Sequence, residues 1–328
     1  MKNLLACGAA ALLLIIAAAT QGETTPDHQR LTPVHAQTHG KAQAQAPVKV
    51  LVSVHPLALV VASLVAQPQV LVPANVTPHD FSFRPSDIGK IQDADIIIWN
   101  GADTEPYLAR FARRWPQKHW IDVSALAEQL IHTQTSASTP ATVTAPATVT
   151  APATTSGKAM AASHQHSHDS HWWFAPPVML ALQQQLAQHL GVSAAPFQRQ
   201  VEEQLAASRA QLKPLQQQGF FVFHQAYDHW VEYFGLSQLG AFTVSPEQKP
   251  GLRTLTTMRQ QLLDEQVVCV FTEPQFSSAL VDSVVGNLPV RRVELDPLGR
   301  HISVTQQGYP DFIQDLTQRF VQCLSPRS

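Results

Sequence analysis

The chain has 328 residues, of which 14% are charged and 45% hydrophobic, and its formal net charge is −2. No basic stripe runs through it, which argues against nucleic acid or an acidic membrane surface as a partner. The length suggests two domains, and fifteen histidines are many for a chain so poor in charge.

Residues 1–22 carry Lys2, an apolar run from Leu4 to Ala19 and then small residues. That is the pattern of a secretory signal peptide, too short for a comfortable membrane span. The hydrophobic stretch follows Cys7 instead of preceding it, which argues against lipidation. The expected product is exported, cleaved and soluble. Residues 23–46 lack apolar periodicity and read as a disordered leader.

From Val48 a regular alternation begins. Val48–Val54, Val70–Val72, Asp95–Trp99 and Trp120–Val123 read as strands, with helices at Leu57–Ala66, Pro85–Ala94 and Glu105–Arg114 between them. Residues 133–162 interrupt the pattern with a six-residue repeat, PATVTA, that cannot build a core. The repeat leads into SHQHSHDSHWWFAP, residues 163–176, where His164, His166 and His168 alternate along a polar run and His171 directly precedes Trp172-Trp173-Phe174.

Two helices follow, Val178–Leu190 and Ala194–Gln217. The second would span roughly 36 Å if unbroken, and Pro214 is a point where it would kink or shorten. A second alternation places strands at Phe220–Phe223, Gln238–Phe242, Val267–Thr272 and Val290–Leu295. Helices are expected at Tyr227–Phe234, Leu252–Gln266, Ser277–Val285 and Tyr309–Cys323.

Strands alternating with helices predict an α/β fold of two lobes, each a mostly parallel sheet flanked by helices, joined by one long helix. The expected boundaries are 47–193 for the first lobe, with its insertion at 133–170, then 194–217 for the linking helix and 218–328 for the second lobe. Removing the signal leaves Cys269 and Cys323. In an oxidising compartment two such thiols favour a disulfide over a metal pair, and the bridge would staple the last helix to a central strand.

Open parallel sheets bind ligands beyond the carboxyl ends of their strands. His79 lies in a loop after the second expected strand, His224 ends Phe220–Phe223, and Asp296 follows Val290–Leu295. His171 sits where the first lobe resumes after the insertion. Three imidazoles and a carboxylate can converge there on the cleft between the lobes, and a tetrahedral His₃ site closed by an oxygen suits zinc. His55 and Glu273 also follow strands and are rival ligands, and spacing alone does not choose between them. His164, His166 and His168 read either as an auxiliary metal site or as a solvated loop.

Several ordered motifs carry a resemblance. They are Pro78-His79-Asp80-Phe81 with Arg84-Pro85-Ser86-Asp87, Ala94 to Trp99, Asp169 to Pro176, Val222 to Tyr227, Glu273-Pro274-Gln275-Phe276, and Leu295-Asp296-Pro297-Leu298-Gly299. Over roughly residues 48–325 the chain resembles the periplasmic zinc-binding components (ZnuA type) of high-affinity zinc ABC transporters, within the metal-binding substrate-binding proteins. The resemblance implies that His79, His171 and His224 bind zinc as transported substrate, with Asp296 or a water as fourth ligand. It also implies the Cys269–Cys323 disulfide, a His-rich insertion beside the site, and delivery to an inner-membrane permease with its ATPase. The protein is then a periplasmic monomer and not an enzyme. Pro78 stands where some zinc-binding members have a carboxylate, which leaves the fourth ligand open. Three other readings remain: a manganese-binding sister protein, a periplasmic metal buffer or chaperone, and a zinc hydrolase. The last would need a general base, and no HExxH pairing is present.

Overall fold

The computed structural model describes residues 47–137, 169–243, 250–264 and 267–326. The expected signal peptide and leader, and the candidate ligands His164, His166 and His168, lie outside these residues. Strands β1 (Val50–Val52), β2 (Gln69–Val70), β3 (Ile96–Trp99) and β4 (His119–Asp122) form one sheet in the order β2-β1-β3-β4, with every pair parallel. Strands β5 (Gly219–His224), β6 (Ser237–Thr243), β7 (Cys269–Thr272) and β8 (Arg291–Glu294) repeat the arrangement as β6-β5-β7-β8, again all parallel.

Helices α1 (His55–Val61), α2 (Pro85–Asp93), α3 (Pro106–Arg114), α4 (Val123–Ala137) and α5 (Pro176–Leu190) accompany the first sheet. Then α6 (Ala195–Leu212) leads to the second sheet, which carries α7 (Asp228–Phe234), α8 (Leu252–Asp264), α9 (Ala279–Val285) and α10 (Gly308–Leu324). Five of these helices, α1, α2, α3, α5 and α6, have proline in their first positions, where no intrahelical N–H is needed.

The linking helix is shorter than the sequence reading of 194–217. It ends at Leu212 and gives way to a 3₁₀ turn at Lys213–Leu215, because Pro214 cannot donate to the helical ladder. Helix α4 was not anticipated at all. Its sequence, VSALAEQLIHTQTSA, runs straight towards the Thr/Ala-rich repeat and shares that composition.

Strand β5, Gly-Phe-Phe-Val-Phe-His, is buried along its whole length. Its alternate side chains serve two cores, as a pleated strand covered on both faces requires. Phe220 and Val222 join a large cluster with Phe271, Phe320, Trp230 and Tyr227, whereas Phe221 and Phe223 join Phe242, Met258, Val281 and Val285 under α8 and α9. The larger cluster does not stop at the second lobe. It continues through Tyr309, Phe312 and Phe174 into Leu57, Val60 and Ile97 of the first.

Hydrogen bonds also tie the lobes. Tyr309 Oη donates to the Trp173 carbonyl at 3.1 Å, and Trp173 Nε1 to the Pro297 carbonyl at 2.8 Å. Gly308, at the start of α10, packs so closely on α1 that a Cβ there would lie 3.1 Å from Leu59 Cδ2 and 3.0 Å from the Ser303 carbonyl. The disulfide expected between Cys269 and Cys323 is present, with Cα atoms 5.6 Å apart, and joins β7 to α10.

Candidate metal centre

In each sheet the chain runs outward once and then crosses back, so the strand order reverses between β1 and β3 and between β5 and β7. Such switch points open a crevice at the strands' carboxyl ends. His224 is the last residue of β5, and Glu273 immediately follows β7, so the two flank the second switch point. His79 comes from the first lobe, in a 3₁₀ turn at Pro78–Asp80 whose preceding residue, Thr77, accepts the His79 N–H. His171 caps the 3₁₀ turn Trp172–Phe174.

The three histidines meet. One ring nitrogen from each of His79, His171 and His224 lies within 4.8 Å of the other two. His171 and His224 are buried, and His79 is exposed. The two buried rings face each other through Nε2 atoms 3.4 Å apart. Two nitrogens at Zn–N distances of about 2.0–2.1 Å in a tetrahedron stand roughly 3.4 Å apart, so this edge already has the right length.

The tautomers follow from what lies behind the rings. His171 Nδ1 is 2.6 Å from Asp169 Oδ1, and His224 Nδ1 is 2.6 Å from Glu273 Oε1. A carboxylate only accepts, so each Nδ1 carries the hydrogen and Nε2 is the nitrogen that each ring turns towards the other. In its neutral form each ring offers Nε2 as a donor atom, so a cation between them would be held by both. Burial by itself would raise the Asp169 carboxyl, but His171 outweighs it and the group stays below its ordinary value, hence ionised. Asp169 as the partner of His171 was missed from sequence, although the short Asp-Ser-His spacing was a readable signal.

Asp296 is placed differently. Its Oδ1 accepts from Gln275 Nε2 at 2.7 Å and Leu298 N at 3.0 Å, and its Oδ2 from Arg300 N at 2.9 Å. It is not a member of the converging group of ligand atoms. His55 is also outside that group: its Nδ1 pairs with the Leu298 carbonyl at 2.9 Å, a further tie between the lobes.

Around the histidines is a cavity of about 40 Å³, lined in part by Thr77, Asn100, Glu105, Trp173, Glu273 and Phe276. Glu105 is buried there, accepting from Asn100 N at 2.9 Å and Asn100 Nδ2 at 3.2 Å. Burial pushes its carboxyl from 4.5 up to about 7, against those hydrogen bonds. The native state therefore keeps a proton that the unfolded chain releases, and stability falls as pH rises from 4.5 to about 7. Glu105→Gln removes that penalty. We expect it to stabilise the protein by about 1–3 kcal/mol at pH 8 and much less at pH 5. Thermal denaturation at both pH values checks this, and an equal effect at the two would contradict it.

Comparison with known proteins fits this geometry. The family model for "Zinc-uptake complex component A periplasmic" matches residues 50–323. The chain belongs to this family. Among curated relatives, the high-affinity zinc uptake system protein ZnuA of Yersinia pestis is 31% identical, over 85% of this chain and 92% of its own length. ZnuA of Haemophilus influenzae is also 31% identical, over 87% and 95%. A zinc-bound ZnuA deletion mutant superposes with a TM-score of 0.63 at 20% identity, covering 86% of this chain and all of that one. The laminin-binding protein of Streptococcus agalactiae, described as having adhesin and metal transporting activity, gives 0.64 at 19% identity, covering 85% of this chain and all of its own. At these identities the structures show the shared two-lobed fold.

Proposed function

We propose that this protein captures a zinc ion between His79, His171 and His224 and delivers it, as a periplasmic monomer, to an inner-membrane ABC permease and its ATPase. The observation that carries the reading is the pair of opposed Nε2 atoms 3.4 Å apart, each ring fixed from behind by a carboxylate. Family membership and relatives named for high-affinity zinc uptake support it. Water serves as the fourth ligand in this proposal, because three donors already engage the Asp296 carboxylate.

Capture is favoured over hydrolysis. A cavity of about 40 Å³ beside the histidines has room for an ion and a few waters, and the curated relatives are named for zinc uptake. The signal peptide at 1–22 and a weaker auxiliary site at His164, His166 and His168 belong to the same proposal.

A competitive titration of the metal-stripped protein with zinc and manganese tests it. We expect one tight zinc per chain that manganese does not displace, and binding that weakens in acid because imidazole coordinates only when neutral. Deletion of residues 138–168 should remove weak binding and leave the tight event. Preferential manganese binding, or no tight metal, would overturn the reading.

A further inference from the structure

Resting on that reading, we infer that Glu273 is a positioning and specificity-determining residue: its carboxylate sets the donor strength of His224 and thereby the preference for zinc over harder divalent ions. Four buried carboxylates surround the site, and they are not equivalent. Glu105 accepts from Asn100 N and Asn100 Nδ2. Asp296 accepts two backbone N–H groups and a side-chain amide, so its charge is spent on shaping its own loop. Asp169 accepts the backbone N–H groups of His171 and Asp228 as well as the His171 ring. Among the described residues, no backbone N–H donates to the Glu273 carboxylate. Its Oε1 receives the His224 ring at 2.6 Å and the Tyr227 hydroxyl at 3.3 Å, while its buried Oε2 has no hydrogen-bond partner among the described residues.

The charge of Glu273 is thus directed mainly at one imidazole. A carboxylate on Nδ1–H makes the opposite nitrogen a stronger donor, and loss of such a partner typically costs 10–100-fold in metal affinity. A stronger nitrogen donor favours zinc more than manganese, which lies at the weak end of the divalent series for such ligands. The position is also rigid. Glu273 directly follows β7, which the disulfide pins to α10, and its side chain is fully enclosed.

The test uses the full chain and its Glu273→Gln and Tyr227→Phe variants. Zinc affinity is read by chelator competition, manganese affinity by electron paramagnetic resonance, and the ligand field by the visible spectrum of the Co²⁺ form. Glutamine still accepts the His224 hydrogen but lacks the charge. We expect Glu273→Gln to weaken zinc about 10–100-fold and manganese far less, with a shifted Co²⁺ spectrum. Tyr227→Phe leaves the carboxylate to His224 alone, and zinc affinity should hold or rise. Equal losses for both metals, unchanged zinc affinity, or a tenfold loss in Tyr227→Phe would overturn the inference while leaving zinc capture intact. If Glu273→Gln fails to fold by circular dichroism, Tyr227→Phe alone decides. Absence of tight zinc binding in the unmutated chain would instead remove the functional reading, and this inference with it.

Discussion

His224→Ala is expected to weaken zinc binding by about 100- to 1000-fold. Four-ligand zinc sites bind with about 10–16 kcal/mol in all, so one ligand is worth roughly 3–4 kcal/mol, and each 1.4 kcal/mol is a factor of ten. Two circumstances put His224 at the upper end. It is buried at the end of a strand, so water cannot enter freely to replace it. Its removal also leaves the enclosed Glu273 carboxylate without its main donor. His55→Ala is the matched control, since His55 bonds the Leu298 carbonyl and stands outside the converging histidines. Chelator competition on both variants is the measurement. Equal affinities for the two would sink the assignment of His224 as a ligand.

The second large effect concerns stability. Replacing both Cys269 and Cys323 by alanine opens a loop of sequence separation 54 in the unfolded chain. Chain-entropy arguments put the loss at about 4 kcal/mol for a loop of that size. For a folded body this large, that corresponds to roughly 8 °C in melting temperature. The bridge joins β7, the strand just before Glu273, to the last helix, and neither cysteine is among the converging histidines, so zinc binding should weaken mainly as the fold around Glu273 loosens. Scanning calorimetry of the double variant, with and without zinc, checks both parts. A melting temperature within a degree or two of the parent would show that the packing of α10 alone holds this region.

Much of the fold was legible because buried parallel strands announce themselves as short apolar runs. Ile96-Ile97-Ile98-Trp99 and Phe220 to Phe223 are covered on both faces, and each reads as such. Helix α4 was not legible, because its alanines, threonines and serines continue into a repeat of like composition. At the site, the three histidines could be nominated because each follows a strand or an insertion at an end where ligands gather. What the sequence hides is which carboxylate stands behind which ring. Glu273 is 49 residues from His224 and meets it only because β5 and β7 are neighbours, so it could be read equally well as a ligand. Asp296 was open to the same confusion until the backbone N–H groups of Leu298 and Arg300 were seen to fold around it.

The core that runs from Phe320 through Tyr309 and Phe174 to Leu57 bears on how cargo leaves. Opening the lobes as a jaw would separate side chains that are buried in one shared core, and close-packed interiors do not yield gradually. A core continuous across both lobes fits a socket better than a jaw. If zinc is held as proposed, its residence time is governed by ligand exchange at the three imidazoles. Of the three only His79 is exposed, so on the proposed reading a receiving protein that offers its own donors would compete there first.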